Sequence, residues 1–289
     1  MDTSSPAQRL SRLPRPLVAV MSSGFFGFFA HAGFLQALED LGLRPDAYAG
    51  ASSGALVAAY AAGGMAPERM RELFQGLSRR DFWDPPTAGV LFKSLLRAGR
   101  GQTGYLRGQA FQRLLEDSLP CPTFEDCPKP CLLVALDLAR GARAWLTRGP
   151  LAPAVRASGA VPLLFAAVEL DGGLMVDGGL VDKAPLLGAA ERLGAKTLLV
   201  HWLPSSSLER EPLAFLQKRL SPLALQSQAV DAARQQHYQD QLACLRGRGL
   251  TVLEVQGRGL PRPGPRRLHL GPGAFAAARA QTLAALAGT

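Results

Sequence analysis

The sequence has few cysteines and few aromatic residues. Only 4 cysteines and 7% aromatic residues occur among its 289 residues. So few and so unevenly spaced cysteines exclude a disulfide-rich scaffold. Cys121, Cys127 and Cys131 do cluster, but they lack the tighter paired spacing and the nearby fourth ligand that a zinc site requires. We therefore expect reduced thiols and no metal.

Long apolar runs are also missing. No stretch approaches the roughly 20 apolar residues that span a bilayer. Near the start, Arg9, Arg12 and Arg15 lie among serines and prolines, and no apolar segment of a secretory signal follows them. We expect a flexible arm over residues 1–15, a cytoplasmic location and, as an option, peripheral contact with a membrane.

Acidic residues are fewer than basic ones. Lys and Arg total 32 against 23 Asp and Glu, which gives a formal net charge of +9. Such a surface attracts anionic lipid headgroups or nucleic acid by the same electrostatics, or it is simply a solvated basic face. Aromatic residues, which would stack on bases, are few near the arginines, so no nucleic-acid partner is expected. Several of these arginines come late in the chain: Arg246, Arg248, Arg258, Arg262, Arg266 and Arg267.

Apolar residues, in contrast, are abundant and regularly arranged. They make up 47% of the sequence, enough for a buried core. Short apolar runs alternate with segments of helical periodicity, which is typical of a parallel sheet covered by helices. The sequence predicts one domain over residues 16–289, of the three-layer α/β/α class with a mostly parallel central sheet. The predicted strands are Leu17–Met21, Ala47–Ala49, Cys131–Leu136, Thr197–His201 and Leu250–Val255. The predicted helices are Ala30–Leu41, residues 55–64 (ALVAAYAAGG), Pro67–Leu77, Gly108–Ser118, Leu186–Leu193, Leu223–Leu245 and Ala274–Ala287.

A possible nucleophile lies between the second predicted strand and the next helix. Gly50-Ala51-Ser52-Ser53-Gly54 has the Gly-x-Ser-x-Gly pattern of a nucleophile elbow, a tight turn that needs small flanking residues. The following helix would direct N–H groups and its positive dipole end at a developing oxyanion. The alternative is an ordinary Gly/Ser turn with a purely structural role.

The base that would serve Ser52 is not evident from this motif alone. A Ser-Asp-His order needs a histidine downstream, and His201, His237 and His269 are the candidates, none with a supporting motif. Asp177-Gly178-Gly179 follows the apolar run Leu174-Met175-Val176. Such walls could raise the pKa of a carboxyl group towards that of a useful base, although an Asp-Gly pair is also common in hairpin turns.

Four segments, in order, resemble the sequence blocks of patatin-like phospholipases. Residues 22–27 (SSGFFG) resemble the glycine-rich oxyanion loop, and residues 50–54 (GASSG) the elbow. Residues 156–162 (RASGAVP) are similar to a recurring R-A-S-x-A-x-P stretch, and Asp177-Gly178-Gly179 resembles the block with the catalytic aspartate. Four blocks in this order and spacing are a specific signal, and they imply a patatin-like fold.

The resemblance implies a Ser52–Asp177 dyad that hydrolyses phospholipids or other lipid esters without metal or cofactor. It assigns the oxyanion hole to backbone N–H groups of Gly24, Phe25 and Ser53. It also marks five glycines as motif residues: Gly27, Gly50, Gly54, Gly178 and Gly179.

The chain departs from the family pattern at several positions. Ser22 and Ser23 replace glycines, Phe26 stands where Lys or Arg is common, and Lys183 replaces a frequent asparagine. Ser22, Ser23 and Phe26 leave open an inactive lipid- or protein-binding module on the same fold. An acyltransferase is a second alternative, because an acyl-enzyme can pass its acyl group to an alcohol or thiol, and a conventional triad hydrolase is a third. Phe25 and Phe26 are candidates for lining an acyl-chain pocket.

Overall fold

The computed structural model describes residues 6–87, 103–205 and 221–287. The strands are β1 Leu17–Met21, β2 Ala47–Ala51, β3 Gly104–Leu106, β4 Cys131–Asp137, β5 Ala142–Leu146, β6 Leu163–Phe165, β7 Val168–Leu170, β8 Gly173–Asp177, β9 Thr197–Trp202 and β10 Thr251–Gln256. The α-helices are α1 Pro6–Ser11, α2 Phe28–Asp40, α3 Ser53–Ala62, α4 Pro67–Gly76, α5 Gln109–Ser118, α6 Leu151–Ser158, α7 Leu186–Arg192, α8 Pro222–Gly247 and α9 Gly271–Ala287.

The central sheet is mostly parallel, as the sequence predicts. Its strand order is β10-β9-β1-β2-β4-β8-β7, and β5 also pairs with β4. The five strands from β10 to β4 are parallel to their neighbours, whereas β8, β7 and β5 pair antiparallel. Parallel strands need crossover connections, and the helices between them supply these.

Helices cover both faces of this sheet, so its buried strands carry apolar side chains on both sides. Strand β1 shows the division: Leu17, Ala19 and Met21 belong to the core under α2, α3, α4 and α9. The alternate residues Val18 and Val20 belong to the core under α7 and α8. The architecture is therefore the predicted three-layer α/β/α sandwich. In the part of the chain that the structure describes, no helix is long and apolar enough to span a membrane.

The antiparallel strands are absent from the sequence prediction. Strand β7 has only 3 residues, and β5 is largely half-exposed. Strands this short or this mixed in polarity produce no clear period-two pattern, since pairing with β8 and with β4 stabilises them. Strand β6, also of 3 residues, pairs in parallel with β3 in a separate two-stranded sheet.

The predicted flexible arm over residues 1–15 is corrected for residues 6–15. Pro6–Ser11 form helix α1, and Leu10 is only 3% exposed within the core that includes α9. Arg15 pairs with Asp46 and donates to Arg44 O at 3.0 Å. A single buried leucine thus gives this polar segment a fixed position. Residues 1–5 of the predicted arm lie outside the described residues.

Two buried histidines join α2 to β9 beneath the loop that follows β1. His31 Nδ1 lies 2.9 Å from His201 Nδ1, and His31 Nε2 lies 2.8 Å from Ser22 O. Because a carbonyl oxygen only accepts, His31 Nε2 carries the proton, and His201 Nδ1 donates to His31 Nδ1. Burial lowers the pKa of His31 to about 3 and that of His201 well below its ordinary value, so both rings are neutral.

We predict that the free energy of unfolding of the His201→Gln variant falls less on acidification than that of wild type. In the unfolded chain His201 takes up a proton below pH 6.5, which the buried ring cannot do, so its stabilising contribution is present above that pH and is lost as the pH falls. The variant is less stable at pH 7.5, because glutamine cannot stack on Phe34 as the His201 ring does. The difference in the free energy of unfolding between wild type and the variant becomes smaller by about 1.4 kcal/mol between pH 7.5 and pH 5.5.

Urea unfolding of both proteins at the two pH values measures the difference in the free energy of unfolding. His269→Gln, which removes an exposed histidine, is the matched control. A deficit of His201→Gln that does not change with pH contradicts the prediction.

Candidate active site

Strand β4 brings the ends of β2 and β8 to neighbouring positions. Ala51, the last residue of β2, pairs with Val134, and Asp177, the last residue of β8, pairs with Ala135. Because β2 runs parallel and β8 antiparallel to β4, the two strands end next to each other from opposite directions. Ser52 and Asp177, which are 125 residues apart in the sequence, therefore become neighbours.

Ser52 occupies a sharp turn between β2 and α3. Its backbone has φ 54° and ψ −118°, a conformation that non-glycine residues rarely adopt and that costs roughly 1–3 kcal/mol. Its N–H donates to Ser158 Oγ at 2.9 Å. Helix α3 begins at the next residue, Ser53, so its N-terminus points at the space in front of Ser52.

The glycines on either side of Ser52 are required by close backbone approach. A Cβ atom on Gly50 would lie 2.3 Å from Gly54 O, and one on Gly54 would lie 2.2 Å from Met21 O. Both distances are far below van der Waals contact. The turn therefore accepts only glycine at these two positions, as a nucleophile elbow does.

Asp177 lies in an almost dry environment next to Ser52. It is 5% exposed and accepts the Gly179 N–H at 2.7 Å, and the Ser52 side chain is near enough to lower its pKa. Burial raises the pKa of Asp177 to about 6, against the opposing effects of the Ser52 and Gly179 hydrogen bonds and of the Arg234 charge. This carboxylate is a much better base near neutral pH than a solvated one.

The two glycines after Asp177 allow the backbone to turn tightly under it. A Cβ on Gly178 would lie 2.0 Å from Val134 O, and one on Gly179 would lie 2.5 Å from Ser23 Oγ. Gly178–Leu180 form a short 3-10 turn rather than a hairpin. The hairpin alternative for this Asp-Gly pair is therefore wrong.

The loop of residues 22–27 lies beside Ser52. Some of its backbone N–H groups have an acceptor and others have none among the described residues. Ser22 donates to His201 O at 3.1 Å and Ser23 to Lys183 O at 2.7 Å. These bonds show how serine is accommodated where the family has glycine, since neither residue has a positive φ. For the N–H groups of Gly24 and Phe25, the described residues provide no acceptor.

Gly27 and Ser53 both border the space in front of Ser52. A Cβ on Gly27 would lie 2.4 Å from Leu203 Cδ1 and 3.0 Å from Ser53 Oγ. Ser53 is the first residue of α3, so its N–H has no partner within the helix. The three predicted oxyanion donors, on Gly24, Phe25 and Ser53, thus all border the cavity described next.

A cavity of about 940 Å³ opens in front of Ser52 and Asp177. This volume lies at the upper end of the roughly 300–1,000 Å³ range of ligand pockets. One wall is apolar and contains Phe26, Phe28, Leu56, Phe74, Phe82, Phe111 and Phe165. The lining also contains polar and charged residues: Arg79, Lys183, Ser205, Asp231, Arg234, Arg262, Arg266 and Arg267.

The phenylalanines of residues 25–34 divide between pocket and core. Phe25 is 63% exposed and Phe26 half-buried, and both line the cavity together with Phe28. Phe29 and Phe34 are fully buried core residues. The expectation that Phe25 and Phe26 line a pocket therefore agrees with their position, while the more buried members stabilise the packing of α2.

The candidate histidines are placed elsewhere. His201 is held by His31, and none of His201, His237 and His269 is among the residues that line the cavity. The cysteines of residues 121–131 are free thiols. Within residues 6–87, 103–205 and 221–287 there is no group of three or more His, Cys, Asp or Glu side chains that could hold a metal ion.

Sequence reasoning missed three side chains of this site. Ser158 holds the Ser52 backbone, and Arg234 donates to Gly179 O at 3.0 Å. Lys183, noted only as a departure from the family, is 3% exposed and lines the cavity. The RASGAVP block could have pointed to Ser158. No signal in the sequence marks Arg234, because it lies in a long polar helix without a motif.

The sequence and the fold resemble known proteins. Residues 19–190, more than half of the chain, match the family described as patatin-like phospholipase. Two uncharacterized NTE family proteins, from Mycobacterium bovis and from Mycobacterium tuberculosis, are 34% identical over 167 residues. These matches cover 58% of this chain and only 43% of each relative, so the chain spans less than half of their length.

A solved structure shares the fold at low sequence identity. VipD from Legionella pneumophila superposes with a TM-score of 0.51 and 15% identity, over 94% of this chain and 67% of that one. This similarity concerns the fold alone. Because the family match extends through all four sequence blocks and over more than half of the residues, the chain belongs to the patatin-like phospholipase family.

Proposed function

We propose that this chain is a serine acyl hydrolase that cleaves carboxylic esters of lipids, of the phospholipase A or lysophospholipase type. The observation that carries the proposal is the position of Ser52 beside the buried Asp177, at the ends of strands that pair with neighbouring residues of β4 and in the lining of one cavity. Nucleophile and base within hydrogen-bonding reach are the requirement for activating a serine. Family membership supports lipid hydrolysis at the coarser level.

In the first step Ser52 Oγ attacks the ester carbonyl carbon while its proton passes to Asp177. The carbonyl oxygen becomes an oxyanion, which the N–H groups of Gly24, Phe25 and Ser53 stabilise. One such donor is typically worth about 3–4 kcal/mol in the barrier. The intermediate collapses, the C–O bond to the alcohol breaks, and the leaving alcohol takes the proton from Asp177.

In the second step water replaces the alcohol. Asp177 accepts a proton from the water, which attacks the acyl-Ser52 carbonyl. The intermediate collapses, the C–O bond to Ser52 Oγ breaks, Asp177 returns the proton to Ser52 Oγ, and the fatty acid leaves. An acceptor alcohol or thiol in place of water would give an acyltransferase. Product analysis with a competing acceptor distinguishes the two reactions.

Ser52→Ala and Asp177→Asn are expected to lower ester hydrolysis by at least about 1,000-fold, because nucleophile and base act as a unit. A p-nitrophenyl butyrate assay measures the loss, and circular dichroism checks that both variants fold. A fluorophosphonate probe should label wild type and not Ser52→Ala. Wild type that neither hydrolyses esters or phospholipid vesicles nor reacts with the probe supports the binding-module alternative.

His237→Ala serves as the control for the conventional triad. The Ser-Asp proposal expects this variant to retain activity, since His237 lies outside the cavity lining. Loss of activity in a folded His237→Ala protein would revive the triad.

The pH dependence of hydrolysis should report the buried carboxyl group. Asp177 acts as a base only when ionised, and its pKa is about 6. The value of kcat/KM for a neutral ester should therefore fall as the pH drops below about 6, approaching tenfold per pH unit. Initial rates between pH 4.5 and 8 test this. A midpoint near the ordinary aspartate pKa of about 3.9 would show that the base is not this desolvated group.

The basic mouth of the cavity supports peripheral contact with an anionic membrane. Arg262, Arg266 and Arg267 lie in the segment between β10 and α9, are exposed and border the cavity. Each cation near such a surface contributes about 1 kcal/mol to binding. A lipid leaving an anionic leaflet would meet these arginines before it reaches Ser52.

Replacing Arg262, Arg266 and Arg267 together by glutamine should weaken binding to phosphatidylcholine–phosphatidylglycerol vesicles at least about tenfold, because three favourable charges are removed. Co-sedimentation measures it, with pure phosphatidylcholine vesicles for comparison. The control variant replaces Arg69, Arg113 and Arg248, which are exposed and do not line the cavity. Equal losses in both triple variants would show that only net charge matters.

A further inference from the structure

A buried lysine and a half-buried arginine lie together in the lining of the cavity. Lys183 is 3% exposed, and the side chain of Arg234 is 20% exposed. Burial of a charge is costly unless a partner compensates it. The proposed hydrolysis uses neither side chain, so their position requires a separate explanation.

The two cations differ in their partners. Lys183 Nζ donates to Ser205 Oγ at 2.8 Å and lies 4.4 Å from the centre of the Trp202 ring. Arg234 pairs with Asp231 and also donates to Ser205 Oγ at 3.4 Å. Among the described residues, Asp231 also acts on Lys183, and the charge of Arg234 reaches Asp177. Asp182, the sequence neighbour of Lys183, is instead paired with Arg143 and accepts from Gln241.

Part of the donor capacity of the cluster is unused. Arg234 Nε is buried and has no hydrogen-bond partner among the described residues. Burial and the charge of Arg234 lower the pKa of Lys183 to about 7, and Asp231 opposes the decrease. A bound anion would complete the hydrogen bonds of the cluster and stabilise the charged form of the lysine.

Hydrogen bonds connect the cluster to both loops around Ser52. Arg234 donates to Gly179 O, two residues after Asp177. Lys183 O accepts the Ser23 N–H, next to the proposed oxyanion donor Gly24. Lys183, Arg234, Ser52 and Asp177 all line the same cavity. A group bound by the two cations is therefore held close to the ester that Ser52 attacks.

We propose that Lys183 and Arg234 form a subsite for the phosphate group of the substrate headgroup, so that the enzyme prefers acylglycerol phosphates to uncharged acylglycerols. This inference rests on the proposed hydrolase function. The phenylalanines that line the same cavity would take the acyl chain.

The test compares two water-soluble substrates that share an acyl chain, 1-butyrylglycerol 3-phosphate and 1-butyrylglycerol. Short chains keep both below micelle formation, so the membrane-facing arginines contribute little. Wild type should have a kcat/KM at least tenfold higher for the phosphate ester. Lys183→Met should reduce this ratio at least tenfold, mainly through KM, and Lys183→Arg should restore most of it.

Two further variants control the comparison. Arg234→Gln should also reduce the ratio, which keeps the test valid if Lys183→Met fails to fold. Arg69→Gln removes one charge from an exposed site, where Arg69 pairs with Glu72, and should keep the wild-type ratio. Equal kcat/KM values for the two substrates in wild type, or equal losses on both in Lys183→Met, would overturn the subsite and leave the hydrolase proposal standing.

A binding measurement makes the subsite testable without turnover. Calorimetric titration with glycerol 3-phosphate should show binding to wild type that Lys183→Met weakens at least tenfold. Inorganic phosphate is titrated in parallel, and equal affinity for both would show a site for free phosphate and overturn a headgroup subsite. A protein that hydrolyses neither ester but binds glycerol 3-phosphate through Lys183 would refute the hydrolase function alone.

Discussion

The site depends on the strained backbone of Ser52. A positive φ at a serine persists only where surrounding structure enforces it. Here the enforcement comes from Gly54 packed on Met21 O, from Gly50 packed on Gly54, and from the hydrogen bond of the Ser52 N–H to Ser158. Strand β1, helix α3 and helix α6 are therefore all positioned by the same turn. The antiparallel pairing of β8 with β4 then places the Asp177 carboxylate next to this turn.

Exclusion of water explains the electrostatics of the cavity. Desolvation disfavours whichever form of a group is charged, so it raises the pKa of Asp177 and lowers that of Lys183. The ordinary pKa values of these two groups are more than six units apart, and in this cavity they become about 6 and about 7. In our proposals the first gains basicity for the chemistry, and the second becomes a cation that an arriving phosphate stabilises. The buried pair of His31 and His201 follows the same rule, but it remains neutral and serves to hold the loop after β1.

Local sequence predicted those parts of the fold that are apolar and regular. The runs of β1, β4 and β9 and the periodicity of α2 and α4 were sufficient for the α/β/α class, because buried parallel strands and amphipathic helices leave clear patterns. The antiparallel strands β5 and β7, half-exposed or short, left none, since pairing with β4 and β8 stabilises them. Helix α1 was missed for a similar reason, as its order depends on one leucine that meets the core. At the site, Ser52 and Asp177 could be named from motifs, whereas Arg234 could not.

The sequence by itself determined the sheet class, the glycine positions and the pair Ser52 and Asp177 as candidates, because these depend on residue type and local spacing. Only the tertiary structure decided that β8 ends beside β2, that Ser158 supports the turn and that Lys183 and Arg234 share one buried space. These features depend on contacts between segments far apart in the chain, and on the loss of water that accompanies those contacts. Neither strand register nor desolvation is encoded in a local pattern, so the electrostatic character of the cavity emerges only when the chain is folded.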